Sequence, residues 1–132
     1  MAFSGDELDA RHRVCEAYLA FLGRRDYDGM ASCLADDVLF RAMTPGSFCD
    51  ASGPAETVAV LQDWWDDVDV FDMQRSGVDS VGDRMRISYT LRIHDEEGWA
   101  VVEQQSYCDV SDRAIHAIDL LCSGFRPIDP PA

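Results

Sequence analysis

Residues 85–94, MRISYTLRIH, alternate without a break. Met85, Ile87, Tyr89, Leu91 and Ile93 fall on one side of an extended chain, and Arg86, Ser88, Thr90, Arg92 and His94 on the other. Side chains of a strand point to opposite faces with a period of two, so one face of this strand meets a core and the other meets water. That one-sidedness belongs to antiparallel sheets, and it demands a second layer over the apolar face. The neighbouring segments continue the sheet. DEEG (95–98) reads as a hairpin turn, and WAVVEQQSYCDV (99–110) as the next strand. SDR (111–113) is the following turn, and AIHAIDLLCSGF (114–125) the last strand. Upstream, VFDMQRSGVDSVG (70–82) is weakly patterned and reads as one strand plus a turn.

The covering layer comes from the first half of the chain. Ser4 and Glu7 have the spacing of a capping box, with Asp6 and Asp9 in the first turn. Leu8, Cys15, Tyr18 and Leu22 then form one stripe, with Val14 and Phe21 beside it, and Gly23 is the expected stop. Asp26 caps a short second helix, YDGMASCLA, that buries Tyr27, Met30, Ala31 and Leu34. DDVLFRAM (36–43) reads as a short strand, and TPGSFCDASG (44–53) as a loop leading to Pro54 at a first helical position. The third helix, PAETVAVLQDWWDDV (54–68), carries Val58, Leu61, Trp64 or Trp65, and Val68 at helical spacing. The expectation is α+β: a cone of three N-terminal helices packed on a strongly curved, mainly antiparallel sheet. One domain of 132 residues holds it, with a core over about 8–126 and a proline-rich tail over 127–132.

Charge narrows the partners. A net charge of −14 would repel a phosphate backbone, so nucleic acid and anionic membrane are not expected. The eleven basic residues are all arginines, which removes Schiff-base and P-loop lysines. No apolar run approaches the ~20 residues of a membrane span. The polar start MAFSGDELDARHR does not read as a signal peptide. The five cysteines are odd in number and never spaced as CxxC, so free thiols in a cytoplasmic protein are expected. The acidic run DWWDDVDVFD lacks the glycine and terminal glutamate of a calcium loop and reads as a solvated face. HExxH, GxSxG and GxGxxG do not occur, so neither a metal nor a dinucleotide cofactor is expected.

One residue is out of place. Asp119 sits within IHAIDLLCSGF, between Ile118 and Leu120. A carboxylate removed from water is costly unless it is paired, hydrogen-bonded or protonated.

The stretches YLAFLGRRDYDGMASCLADDVLF, SGPAETVAVLQDWW and VVEQQSYCDVSDRAIHAIDLLCSGF together resemble the nuclear transport factor 2-like superfamily, in its SnoaL-like and ketosteroid-isomerase-like branches. The resemblance spans roughly residues 10–126 and implies a conical pocket between the helices and the concave sheet face. In ketosteroid isomerases a helix-1 tyrosine donates to the substrate oxyanion, and Tyr18 falls there. The position of their aspartate base is Ala42 here, and that of their second oxyanion donor is Ser106. In SnoaL-type polyketide cyclases a last-strand aspartate is the acid/base, and Asp119 falls there. Aligned so, Ala117, Asp119 and Leu121 face the pocket, while His116, Ile118 and Leu120 face away. Burial would then raise the Asp119 pKa towards neutrality.

The resemblance thus implies a cofactor-independent enzyme acting on a small, apolar, carbonyl-bearing metabolite, such as a polyketide-like one, by cyclisation, isomerisation or dehydration. Asp119 and Tyr18 are its catalytic candidates, with Ser106, Gln104, Trp64, Phe40 and Tyr89 as substrate-binding candidates. The alternative is a non-catalytic binding or dimerisation module of the same fold. Asp119 is then a structural carboxylate, and Tyr18 and the aromatic residues are plain core. Arg86, Ser88, Thr90, Arg92, Glu103, Gln105, Tyr107 and His116 form a mixed polar outer face that resembles the family's sheet-to-sheet dimer contacts. A homodimer through that face is expected.

Overall fold

The computed structural model describes residues 4–131. The expected domain of residues 1–132 extends at its ends beyond the described residues. Helix α1 (Gly5–Gly23) starts at Ser4, whose hydroxyl accepts from the Glu7 amide at 3.2 Å. It does not stop at Gly23 through a left-handed glycine. The left-handed residue is Arg25, at φ 52°, and its Nη1 donates to the carbonyls of Trp65 and Val68 at 2.9 and 2.8 Å. Those two bonds offset the strain of a side chain at positive φ. Helix α2 (Tyr27–Ser32) is capped by Asp26, which accepts from the Gly29 amide at 2.9 Å.

Strand β1 (Leu34–Thr44) begins earlier than its sequence suggests, so Leu34 is buried from a strand rather than a helix. The expected loop after it is half strand. Pro45 and Gly46, the latter at φ 73°, make a tight turn, and β2 (Ser47–Ser52) runs back antiparallel to β1. Helix α3 (Gly53–Trp65) follows directly and buries Thr57, Leu61 and Trp65.

The remaining strands are β3 (Val70–Val81), β4 (Arg84–Asp95), β5 (Gly98–Val110), β6 (Ile115–Cys122) and the two-residue β7 (Arg126–Pro127). Their order is β2-β1-β6-β5-β4-β3, with β7 on β5. Every neighbouring pair is antiparallel except β1–β6, which is parallel. The fold is therefore α+β, with N-terminal helices on one face of a curved, mostly antiparallel sheet. The alternation of residues 85–93 is realised in full, since Met85, Ile87, Tyr89, Leu91 and Ile93 are all buried. Each such side chain contributes roughly 1.5–3 kcal/mol.

The stripe on α1 holds a residue that its apolar spacing hides. Arg11 lies between Leu8 and Cys15 and is buried, donating from Nε to the Val110 carbonyl at 2.8 Å and from Nη2 to the Asp83 carbonyl at 2.6 Å. It pins α1 to the β3–β4 turn and to the end of β5.

Candidate functional site

The inner face of the sheet carries a small polar wall. Tyr89 on β4 stands opposite Gln104 on β5, and the tyrosine hydroxyl donates to Gln104 Oε1 at 2.5 Å. Ser106 follows two residues later on the same face of β5, and all three are buried. Tyr18 approaches from α1 and is buried as well. Burial holds the Tyr18 hydroxyl well above its ordinary pKa, with Cys108 and Cys33 adding to it. Tyr89 is raised for the same reason, and the nearness of Tyr18 raises it further. Both phenols therefore remain protonated donors at neutral pH. None of the hydrogen bonds among the described residues engages the Tyr18 hydroxyl.

Three of the seven candidates, Tyr89, Gln104 and Ser106, thus share one wall, and a fourth, Tyr18, lies near Tyr89. Phe40 and Trp64 form an aromatic pair between β1 and α3, with ring centroids 6.1 Å apart. Trp64 packs edge-on against Trp65, which packs against Phe71 and Phe125. Phe48 projects outward from β2 and is largely exposed.

Asp119 is not on this wall. Ile118 and Leu120 are buried, whereas Ala117 and Asp119 are half-buried on the opposite face and Leu121 is exposed. The expected facing of this strand is inverted, for a local reason. Ile115 pairs with Val110 and Ala117 with Asp109, so His116 is an extra residue in the β5–β6 ladder. A bulge of one residue reverses every side chain beyond it. Ile115 and Ile118 can then both point inward.

On the outer face Asp119 has two cationic partners. Arg41 on β1 donates from Nε to Oδ1 at 2.8 Å, and Arg84 reaches Oδ2 from Nη2 at 3.0 Å. Arg84 also donates from Nε to Asp109 at 2.9 Å and from Nη2 to the Tyr107 carbonyl at 3.1 Å. Partial burial raises the Asp119 pKa, but the hydrogen bonds and charges of Arg41 and Arg84 outweigh it and hold the carboxyl below its ordinary value. It is a fixed anion, the opposite of a general acid poised near neutrality. Asp119, Arg41, Arg84 and Tyr107 line an outer cavity of about 340 Å³ walled by Met43, Phe48 and Leu121. The sequence reading missed both arginines. Arg41 and Asp119 face each other only through the parallel β1–β6 pairing, which no local pattern reveals.

No Asp or Glu among the described residues is buried. The inner wall therefore offers neutral hydrogen-bond donors and no carboxylate base. It suits binding a carbonyl oxygen better than moving a proton.

Comparison with known proteins agrees with this architecture. No curated protein matches the sequence. Among solved structures, a candidate isomerase from Bacillus subtilis superposes with a TM-score of 0.73 at 12% identity, covering 88% of each chain. A candidate polyketide cyclase from Xanthomonas campestris pv. campestris gives 0.69 at 22% identity, covering 86% of this chain and 90% of its own. An NTF-2 like protein of unknown function from Burkholderia xenovorans LB400 gives 0.71 at 15% identity, covering 97% and 92%. Among the described residues no helix is long and apolar enough to cross a membrane. The SnoaL-like domain family matches residues 15–116, and the chain belongs to that family.

Proposed function

We propose that this chain binds a small, mostly apolar, carbonyl-bearing molecule against the inner wall. The Tyr18 hydroxyl, with Gln104 and Ser106, receives the carbonyl oxygen. The observation that carries the proposal is Tyr18, a buried residue whose hydroxyl is held protonated and takes part in none of the hydrogen bonds among the described residues. A protonated phenol that donates to no protein acceptor has its O–H free for a ligand carbonyl. Tyr89 orients Gln104 by occupying its carbonyl oxygen, which turns the amide N–H groups into the remaining donors.

This favours the binding module over the enzyme whose proton carrier is Asp119. A second reading keeps catalysis, with Tyr18 stabilising an enolate while water supplies the base. Its support is the family, whose solved neighbours include a candidate isomerase and a candidate polyketide cyclase. The neutral ketone 1-tetralone separates the two readings. Its carbonyl stretch should shift to lower frequency on binding, and Tyr18→Phe should remove the shift. A ketone that binds Tyr18→Phe with an unchanged stretch would end the assignment of the wall. Exchange of the α-protons in D₂O, measured by NMR, should stay at the buffer rate for a binding module. Acceleration that vanishes in Tyr18→Phe supports the enzyme instead.

The proposal includes a homodimer through the outer sheet face. Arg86–Asp79, Arg92–Asp72 and Arg41–Asp119 are ion pairs closed within that face, so its local charge is far smaller than that of the whole chain. Leu39, Met43, Phe48 and Leu121 add exposed apolar surface on β1, β2 and β6. The expected contact therefore shifts from the polar residues of β4 and β5 towards those three strands. The free thiols of all five cysteines fit a reducing, cytoplasmic setting.

A further inference from the structure

We propose that the ring of Phe125 occupies a binding slot for a planar, uncharged or cationic ring, on the face of Trp65 at the end of α3. The inference rests on the reading of this chain as a small-molecule binder.

Trp65 is fully buried, yet one of its faces is covered by a residue from the chain's tail. Phe71 and Trp64 meet Trp65 edge-on, with centroids at 5.4 and 6.3 Å. Phe125 alone lies parallel to it, at 5.7 Å and 6°. That is the arrangement of a stacked ligand, and it is held by a side chain that is itself 46% exposed. The tether is a few hydrogen bonds, among them the Glu103 amide donating to the Ser123 hydroxyl at 2.9 Å. β7 pairs only Ala100 with Pro127 and Val101 with Arg126. The Ile128 amide donates to the Trp99 carbonyl at 3.1 Å, and the Ser123 amide to the Glu103 carbonyl at 2.9 Å. Gly124 sets the turn into Phe125 at φ 80°, and a Cβ there would meet Pro45 Cγ at 2.7 Å. Lifting Phe125 therefore uncovers a ring-sized apolar face without disturbing the register of β1 to β6.

Charge selects the occupant. Phe125 lines a cavity of about 610 Å³ together with Asp67, Asp95, Glu96 and Glu97. An anionic ring would enter against four carboxylates, whereas a neutral or cationic ring would not.

Calorimetric titration at pH 7 with neutral 2-naphthol and anionic 2-naphthoate tests the slot, since the two share one ring system. Phe125→Ala should bind 2-naphthol roughly two- to tenfold more tightly than the unaltered chain, by removing the competing stack. Gly124→Ala, which pushes the tail off Pro45 while keeping Phe125, should act in the same direction. Naphthoate should bind several-fold more weakly than naphthol to every form. Equal affinity of Phe125→Ala and the unaltered chain for naphthol, or equal affinity for naphthol and naphthoate, overturns the proposal. If Phe125→Ala does not fold, the absence of any gain in Gly124→Ala overturns it. Naphthol carries no carbonyl, so a gain that persists in a Tyr18→Phe background supports the slot even where the carbonyl reading fails.

Discussion

Asp119 shows how one residue's neighbours decide its role. In sequence it is a carboxylate in an apolar strand, and burial alone would make it a weak acid. Two guanidiniums reverse that, and the group is ionised and fixed. Asp119→Asn keeps the shape but removes the charge that faces Arg41 and Arg84. Its side chain is 29% exposed, so screening limits the effect to about 0.5–1.5 kcal/mol, or a melting temperature lower by about 2–6 °C at pH 7. The pH dependence has a definite sign. A carboxyl whose folded pKa lies below its unfolded value of about 3.9 stabilises the fold above that value. That contribution is lost as pH falls through the folded pKa. Melting curves from pH 7 to pH 2 should therefore fall less steeply on the acid side for Asp119→Asn than for the unaltered chain. Parallel acid limbs would show that the two arginines do not hold it. Binding of 1-tetralone should be unchanged, because Asp119 is off the inner wall.

At the scale of elements, most of the fold was legible because its signals are local. The capping box at Ser4, the cap at Asp26 and the alternation of residues 85–93 each lie within a few residues. Two features were not. β2 is six residues long and exposes four of them, so its pattern resembles a loop. The bulge at His116 is a property of the β5–β6 register, and that register is set by two strands together. The residues of β6 nevertheless held a clue: turning Ile118 and Leu120 inward and Asp119 outward buries more apolar surface than the reverse. Gly29 is a further case, since its role depends on a neighbouring helix. A Cβ at Gly29 would stand 2.2 Å from Cδ1 of Phe21 on α1, so the α1–α2 corner closes over a hydrogen atom. Gly29→Ala should cost about 1–3 kcal/mol despite the better helix propensity of alanine. Phe21→Ala should make Gly29→Ala nearly neutral, a non-additivity that chemical denaturation of the four forms would measure. Additive effects would mean the two residues are not in contact.

The whole molecule poses a problem of charge. A chain at −14 that pairs with itself brings together two like-charged bodies, so a stable pair needs a face where charge is locally cancelled and apolar area is available. The outer side of β1, β2 and β6 meets both conditions. Leu39, Met43, Phe48 and Leu121 are 56%, 57%, 59% and 50% exposed there, a concentration unusual for a surface left in water. Arg41 and Arg84 balance Asp119 and Asp109 beside them. A twofold contact of the usual size, about 800 Å² from each copy, would cover this patch and the adjoining face of β5. Two consequences separate this from a face that merely tolerates solvent. Raising salt from 0.05 to 0.5 M should strengthen the dimer, because it screens the long-range repulsion and leaves the apolar contact intact. Phe48→Glu should weaken it at least tenfold by placing a carboxylate in the centre of the patch, without lowering the melting temperature of the monomer, since Phe48 is exposed in the single chain. Sedimentation equilibrium at micromolar concentration reads both. A monomer at every salt concentration up to 100 µM, or a dimer indifferent to Phe48→Glu, would place any self-association elsewhere and leave the patch without a partner copy.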